Sequence, residues 1–431
     1  MKIAWFTPLS ARTGIARYSL TVLGALPPDV DVEVWAPRSD DDLRVDACPV
    51  HVLDDPGEAA RATAGCDLRV FNLANHPGFA LPIHRVYERS RGLVILHDKL
   101  MQDFFYNALA PSEYYRLMTY FYGPRGSDAA VRALADGLVL SEGDFVSTFP
   151  LLEACLWNAE GVLTHSSHAA ERARERYGAL LPVRFAHLPL FEYADEQGRT
   201  LASRAELGVA EDRVLVVATG RVAHTKRIDT VIDAIAGSER LRRECQFVSV
   251  GEAEPQYLAT LEARIEQHRL GEGVRLVTKA DDRLLHSYLA AADVCVNLRY
   301  PSTEASSATL IEQLYAGKPV IAYDTGVYAE MPDDVLVKVP TAQGVEGVRA
   351  ALLRLVGDAD ERASIGRRAE QFARANCAPD VFAATFADFA REVVENRPEL
   401  AALDARVGSL GTPSDLAALH AAAAAAAGGP A

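Results

Sequence analysis

One segment of the sequence combines a strand end, a polar loop and a helix start. An apolar run ends at Leu298, a polar loop carries Glu304, and a helical segment opens at Ser306 and Ser307. Small residues at a helix start let a ligand approach the free backbone N–H groups, where the helix dipole favours a diphosphate. The segment therefore predicts an anion site at the carboxyl end of a strand, where open α/β sheets bind ligands. A capped core helix without a ligand is the alternative.

A second segment places two cations in one loop. Arg221 and Lys226 follow another apolar run, in the sequence TGRVAHTK. Arginine binds phosphate oxygens through paired hydrogen bonds, whereas lysine acts as a point charge, so the two together could neutralise a diphosphate. An exposed basic pair with no ligand is the alternative for this loop.

Several familiar catalytic signatures are absent from the sequence. It contains no G-x-G-x-x-G after a first strand, no G-x-x-x-x-G-K-[ST], no G-x-S-x-G and no H-E-x-x-H. Standard dinucleotide, P-loop, hydrolase and zinc-protease sites are therefore not predicted. The run Asp40-Asp41-Asp42 could in principle hold a divalent metal, but three adjacent acids after a strand are more typical of a solvated loop.

The elements that must position these residues alternate between short apolar runs and helical segments. This alternation is typical of βαβ units, whose parallel strands are buried on both faces. Two such series are predicted, which makes two Rossmann-like units of an α/β class. The predicted strands are 2–6, 32–35, 68–72, 93–96, 161–164 and 183–187 in the first unit, and 214–218, 247–250, 274–278, 294–298, 320–323 and 335–339 in the second.

Length and hydrophobic pattern also predict the domain boundaries. A chain of 431 residues is longer than a single domain usually is, so more than one domain is predicted. The stretch 189–212 has no long apolar run and is interpreted as a linker. We expect an N-terminal domain at 1–188 and a C-terminal domain at 213–375. The alanine-rich end predicts that 398–431 is a partly disordered tail.

Composition argues against some classes of binding partner and predicts the cellular compartment. The formal charge of −15 argues against a nucleic-acid binder, which needs a basic surface for phosphates. No apolar run approaches the ~18 residues of a membrane-spanning helix. The six cysteines are far apart and favour reduced, buried thiols, so we expect a cytoplasmic protein.

Through these motifs the sequence resembles the retaining GT-B glycosyltransferases of family 4, also described as glycosyl transferases group 1. The resemblance rests on the E-x7-E pair Glu304 and Glu312 followed by GKPVIA, and on the G-R-x4-K loop with Arg221 and Lys226. Weaker matches are the turn at Gly251, the strand-end His97 and the glycine loop at Thr13-Gly14. Together the motifs run from residue 13 to 326 in the family's order.

The resemblance implies a role for each matched residue. Arg221 and Lys226 would stabilise the departing diphosphate, Glu304 would hold a donor-sugar hydroxyl, and Glu312 would bind the ribose. His97 would contact a sugar hydroxyl near the reaction centre, and it is counted with Glu304, Arg221 and Lys226 as catalytic. The remaining expected donor-binding residues are Gly14, Gly251, Thr278, Ser306 and Ser307.

The family also implies a fold, an activity and partners. It predicts two Rossmann-like domains facing a cleft, an acceptor-binding N-terminal domain, and a last helix, 379–397, that crosses back onto it. The expected reaction moves a sugar from a UDP- or GDP-type nucleotide sugar to a hydroxyl acceptor with retention, without a metal or cofactor. A carbohydrate acceptor, a lipid-linked acceptor and peripheral membrane contact all stay open.

Departures from the family pattern leave the donor undefined. Thr13 stands where the family often has a second glycine, Arg227 follows Lys226 in place of the usual glycine, and Ala-Ser-Ser follows Glu304. A nucleotide-sugar epimerase and a catalytically silent binding module on the same fold are the alternatives. The aromatic residues between 104 and 122 could form core or an acceptor platform.

Overall fold

The computed structural model of the protein describes residues 1–137, 143–178, 181–191, 201–271 and 273–409. Within these ranges the chain forms two parallel β-sheets, each covered by helices on both faces. The middle of the expected linker, at 192–200, and the last part of the expected tail, at 410–431, lie outside the described residues.

The first sheet has seven parallel strands in the order β3-β2-β1-β4-β5-β6-β7. Its central strands are almost fully buried, which explains why they read as continuous apolar runs. The strands are β1 (Lys2–Phe6), β2 (Asp31–Ala36), β3 (Val50–Val52), β4 (Leu68–Leu73), β5 (Gly92–Leu96), β6 (Ala159–Thr164) and β7 (Val183–Phe185).

Helices connect these strands and cover the first sheet. Several begin at residues whose side chains cap them: Thr13 accepts from the Ile15 backbone N–H, and Ser166 accepts from that of Ala169. The helices are α1 (Gly14–Ala25), α2 (Pro56–Ala62), α3 (Pro77–Tyr87), α4 (Gln102–Ala108), α5 (Pro111–Asp136), α6 (Gly143–Thr148) and α7 (Ser167–Tyr177).

The second sheet has six parallel strands in the order β10-β9-β8-β11-β12-β13. This order reverses between β8 and β11, and a ligand-binding crevice forms at such a reversal. The strands are β8 (Val214–Thr219), β9 (Cys245–Val250), β10 (Val274–Val277), β11 (Val294–Val296), β12 (Val320–Tyr323) and β13 (Val337–Val339).

The helices of the second half alternate with these strands and then continue beyond them. They are α8 (Ile228–Ala236), α9 (Glu239–Glu244), α10 (Pro255–Gln267), α11 (Asp282–Ala291), α12 (Ala308–Tyr315), α13 (Gly344–Gly357), α14 (Ala359–Asn376) and α15 (Pro379–Ser409). The two α/β units together form the two Rossmann-like domains that the sequence predicts.

The last helix, α15, packs on the first sheet rather than on the second. The Phe386 ring lies edge-on to Trp5 with ring centroids 5.2 Å apart, and Phe382 contacts Tyr18 in the same way at 5.6 Å. Gly161 on β6 has Val393 against it so closely that a Cβ would clash. The apolar face of α15 therefore completes the core of the N-terminal domain.

The structure departs from the sequence-based boundaries in two places. The helix that begins at Pro379 continues through Pro398 to Ser409, so residues 398–409 are helical rather than the start of a tail. Leu207 and Val209, inside the expected linker, are buried in the core of the second domain. That domain therefore begins before residue 213, in a segment whose apolar residues are too few to form a recognisable run.

Candidate active site

The loops with the predicted site residues meet where the two sheets face each other. The backbone N–H of Ala305 donates to the His97 carbonyl oxygen at 3.1 Å, and Asp98 and Glu304 form an antiparallel bridge. The loop after β5 in one domain thus touches the loop after β11 in the other. A cleft forms between the carboxyl edges of both sheets, the usual place for a ligand.

Lys226 is buried at the end of the loop that follows β8. Its Nζ lies 3.4 Å from Asn297 Oδ1 and 3.3 Å from Thr309 Oγ1, both of them neutral acceptors. Burial, followed by the nearby Arg299 guanidinium, lowers the pKa of Lys226 to about 7, against the opposing pull of Glu304 and Glu312. A buried ammonium with only weak neutral partners is prepared to bind an anion.

Two glycines bring the backbone close to Lys226. Gly220 has φ +93°, and a Cβ there would lie 2.9 Å from Thr309 Cγ2 and 3.9 Å from Lys226 Nζ. Gly251 has φ +145°, and a Cβ there would overlap the Gly220 carbonyl oxygen. Both positions therefore require glycine, for backbone conformation and for space. Gly251, predicted as donor-binding, supports the loop that holds Lys226.

Arg221 differs from Lys226 although both lie in the same loop. Its side chain is 71% exposed, and its Nη2 lies 3.3 Å from Glu254 Oε1. An exposed ion pair of this kind contributes little to stability. Arg221 therefore stays available at the rim of the cleft, while Lys226 forms its floor.

Helix α12 begins beside Lys226. Ser307 is its N-cap and accepts from the Leu310 backbone N–H at 3.4 Å, while Ser306 is partly exposed just before it. Thr309, in the first turn, contacts Lys226. The positive end of α12 and the Lys226 ammonium therefore point to one place, which suits a diphosphate.

Glu312 is buried on the same helix, with 7% of its surface exposed. It is therefore not a solvent-facing helix carboxylate. Its charge raises the pKa of Lys226, so the two side chains lie near each other.

Glu304 lies at the domain junction, with its side chain largely buried. Its Oε1 forms an ion pair with Arg299 Nε at 2.7 Å, and the Tyr328 hydroxyl lies 3.3 Å away. Burial, with the Glu304 charge adding to it, raises the pKa of Asp98 to about 6, although the Asn75 backbone N–H opposes this by donating to Asp98. The second domain therefore holds Glu304 firmly and presents it to the end of β5.

His97 contacts residues of its own sheet. Its Nε2 lies 3.0 Å from Asn72 Oδ1, and Asn72 Nδ2 donates to the Phe6 carbonyl oxygen. Because this second bond orients the amide, His97 Nε2 carries the proton and Nδ1 is the accepting nitrogen. Burial, then the neighbouring His165, lower the pKa of His97 well below its usual value, so the ring is neutral.

Gly14 and Thr278 lie at the edges of the site. Gly14 is the exposed first residue of α1, where a Cβ would lie 3.5 Å from Phe191 Cε2. Thr278 follows β10 and is partly exposed, next to the Val277 carbonyl that accepts from Gly251. No described side chain connects either residue directly to Glu304 or Lys226.

The structure adds residues that the motifs did not indicate. Arg299, Tyr328 and Asn297 surround Glu304 and Lys226, and Asp98 and Lys99 lie across the junction. Arg299 is five residues before Glu304, a spacing that carries no signal by itself. Asp98 directly follows His97 at the end of a strand, and only this position in the sequence could have indicated that Asp98 belongs to the site.

The aspartate run is already engaged in protein contacts. Asp41 accepts from Ser10 Oγ at 2.8 Å and pairs with Arg12 Nε at 2.9 Å. Across the described ranges, no group of three or more His, Cys, Asp or Glu side chains is arranged to hold a metal ion. Likewise, no helix in the described part of the chain is long and apolar enough to cross a bilayer.

The aromatic residues between 104 and 122 form core rather than a platform. Phe104, Phe105 and Tyr114 are buried in the main cluster of the N-terminal domain, and Tyr122 donates to Glu153 at 2.9 Å. Tyr115 is the exception, with 38% of its surface exposed.

Comparison with known proteins finds sequence similarity to glycosyltransferases over part of the chain. Residues 200–372 match the family model of glycosyl transferases group 1. The D-inositol 3-phosphate glycosyltransferase of Jonesia denitrificans is 31% identical over 196 residues, which cover 42% of this chain and 45% of that protein. The alpha-D-kanosaminyltransferase of Streptomyces kanamyceticus is 27% identical over 183 residues, covering 41% and 45%. The matched part thus spans less than half of either relative.

Solved structures resemble nearly the whole chain. Sucrose-phosphate synthase from Thermosynechococcus elongatus has a TM-score of 0.64 at 19% identity, covering 91% of this chain and 99% of that one. A glycosyltransferase from Rickettsia africae has a TM-score of 0.65 at 13% identity, covering 92% and 99%. Anabaena HepE in complex with UDP has a TM-score of 0.62 at 18% identity, covering 91% and 100%. The chain therefore has the GT-B fold, and its residues 200–372 are similar in sequence to glycosyl transferases group 1.

Proposed function

We propose that the protein is a retaining glycosyltransferase that moves a sugar from a UDP- or GDP-type nucleotide sugar to a hydroxyl acceptor. The observation that carries this proposal is the buried Lys226, which meets the start of α12 at the cleft opposite His97. The names of both curated relatives describe transfer of a sugar, and the HepE structure holds UDP.

The chemistry that this arrangement supports is stabilisation of a departing nucleoside diphosphate. As the bond between sugar and phosphate breaks, negative charge grows on the leaving oxygen. Lys226 and the first turn of α12 would neutralise that charge, with Arg221 at the rim, and such fixed electrostatic groups often supply the largest part of catalysis. Glu312 would accept from the ribose hydroxyls, and Glu304 from a hydroxyl of the donor sugar.

Retention requires the acceptor to approach the face from which the diphosphate leaves, or a covalent intermediate. We favour the first route, in which a leaving phosphate oxygen takes the acceptor proton. Glu304 is held by Arg299 at 2.7 Å, which suits a positioning role better than attack on the sugar. His97 Nδ1 is available to accept a hydrogen bond from a sugar hydroxyl near the reaction centre.

We further propose that this reaction needs no divalent metal, because the cations and the helix start act on the same phosphates. The test is to measure nucleoside diphosphate release from a panel of UDP- and GDP-sugars in EDTA, with and without hydroxyl acceptors. Release that depends on an acceptor and survives EDTA supports the proposal. Activity lost on chelation and restored by Mg²⁺ would contradict metal independence.

The same experiment separates the alternatives. A nucleotide-sugar epimerase would change the donor sugar without needing an acceptor, and a silent binding module would bind nucleotide without turnover. The anomeric configuration of the product, read by NMR, tests retention directly.

A further inference from the structure

A cavity of about 430 Å³ lies between the two domains, beside the candidate active site. Its walls include Lys99, His168 and Arg172 from the first domain, and Ser302, Gly326 and Glu330 from the second. Lys99 is two residues beyond His97, and Ser302 is two residues before Glu304. The Glu304 charge acts on Lys99, so the cavity lies close to the glutamate that the proposed function assigns to the donor sugar.

The Lys99 ammonium lies in this cavity with no hydrogen-bond or ion-pair partner among the described residues. Burial lowers its pKa, while the more distant charges of Glu330 and Glu304 act in the opposite direction. A half-buried lysine without a close partner loses hydration and gains no contact in return. A bound anion would supply the missing contact.

Glu330, the acidic residue of the cavity wall, is already held by three hydrogen-bond donors. Its carboxylate accepts from Ser166 Oγ at 2.7 Å, from the Ser167 backbone N–H at 2.6 Å and from Ser167 Oγ at 2.9 Å. These donors form the positive start of α7, which stabilises a carboxylate. These bonds hold the Glu330 carboxylate at the start of α7, and among the described residues it forms no direct ion pair with Lys99.

Ser302 and Gly326 shape the space around Lys99. The Ser302 hydroxyl is buried and has no hydrogen-bond partner in the structure. A Cβ on Gly326 would overlap the Ser302 side chain and lie 3.3 Å from Lys99 Nζ. The lysine and the serine thus converge on one small volume that a side chain at position 326 would fill.

Arg172 adds a second cation to the same wall. Its Nη2 makes one long contact, 3.4 Å, to Glu153 Oε1, and the side chain lines the cavity with no other hydrogen bond among the described residues. A lysine, a hydroxyl and an arginine together suit a group with three acceptor oxygens.

We propose that this cavity is the acceptor site and that Lys99, Ser302 and Arg172 select a hydroxyl acceptor that carries a phosphate group. The inference rests on the proposed function and extends it, because it names the substrate class of the second pocket. Lys99 is here a specificity-determining residue, distinct from the Lys226 that serves the donor.

The test is calorimetric titration of the full chain with inorganic phosphate in the presence of saturating UDP, or GDP if that is the nucleotide bound. The nucleotide occupies the donor phosphate site, so any further phosphate binding reports on another pocket. The variants are Lys99→Met, Lys99→Arg and Ser302→Ala. The control is Lys2→Met, because Lys2 lies at the amino end of β1, pairs with Glu33 and is remote from the cleft.

We expect phosphate to bind the wild type and Lys2→Met equally. Lys99→Met should weaken phosphate binding at least tenfold and Ser302→Ala several-fold. Lys99→Arg should change phosphate binding little. Phosphate that fails to bind the nucleotide complex, or that binds Lys99→Met as well as the wild type, overturns the proposal. A protein that binds neither nucleotide contradicts the proposed function instead, and the phosphate titration of the free protein then still tests the cavity. Unchanged nucleotide affinity in Lys99→Met shows that the variant is folded.

Discussion

The backbone N–H of Ala305 donates to the carbonyl oxygen of His97 across 3.1 Å, and this bond joins the two domains at their ligand-binding edges. Because it lies one residue from Glu304, the position of the donor-side glutamate depends on the loop that follows β5. Two further contacts also join the domains. Arg17 Nη2 pairs with Asp282 Oδ2 at 2.7 Å, and Glu330 of the second domain binds the start of α7 in the first. The contacts that join the two domains therefore also position residues of the candidate site.

The first prediction concerns the two cations of the loop after β8. Lys226→Ala should lower kcat about 100-fold, because the lost charge acts mainly on the transition state. Arg221→Ala should have a smaller effect, since its guanidinium is exposed and paired with Glu254. Initial rates with a saturating donor measure both. Equal, few-fold losses in the two variants would contradict the assignment of Lys226 to the leaving diphosphate.

The second prediction is a pH dependence of nucleotide binding. The pKa of Lys226 in the free protein is about 7, so the lysine is charged below that pH and neutral above it. A bound diphosphate favours the charged form, so affinity should fall as pH rises from 7 to 9, by up to about tenfold per unit. The control is Lys226→Arg, whose guanidinium stays charged throughout. Calorimetry should give a flat profile for that variant, and a flat wild-type profile would contradict the prediction.

The third prediction separates the two glutamates. Glu312→Gln should weaken binding of the bare nucleoside diphosphate as much as binding of the full donor, by about 1.5–3 kcal/mol. Glu304→Gln should spare the bare nucleotide and lower turnover of the nucleotide sugar. Titrating both ligands into both variants tests this division of roles. It fails if Glu304→Gln weakens binding of the bare diphosphate as strongly as Glu312→Gln does.

The fourth prediction tests the packing of α15 on the first sheet. Phe386 is fully buried against Trp5, so Phe386→Ala should lower the free energy of unfolding by about 3–5 kcal/mol. Val381, on the same helix, is 39% exposed, and Val381→Ala should change the free energy of unfolding by no more than about 0.5 kcal/mol. Urea unfolding measures both values. Similar losses in the two variants would show that α15 does not contribute this core.

Buried parallel strands were the part of the fold most open to prediction from sequence. Residues 214–218 formed a continuous apolar run because β8 is covered on both faces. β3 (Val50–Val52) was missed because it is an exposed edge strand with no burial pattern. The full length of α5 was not predictable, because Gly123 and Pro124 resemble a helix end. In the structure Gly123 adopts φ +61° and the helix resumes after a kink.

The site was predictable only where a motif fixed a spacing. Lys226, Glu304 and Glu312 were predicted in this way, and the structure brings the three side chains close together. The surroundings of Glu304 could not be read from the sequence, because Tyr328 and Asp98 reach it from 24 and 206 positions away and only folding brings them near. The different burial of Arg221 and Lys226 was also invisible, because both occur in one polar loop.

The return of α15 to the first sheet has a consequence for synthesis of the protein. Trp5 and Tyr18 leave the ribosome early, but the phenylalanines that cover them, Phe382 and Phe386, follow only after the whole second domain. At ~5–20 residues per second, the interval between β7 and α15 lasts roughly ten to forty seconds. During that time we expect the nascent first domain to expose the aromatic surface around Trp5 and Tyr18, until the final helix covers it.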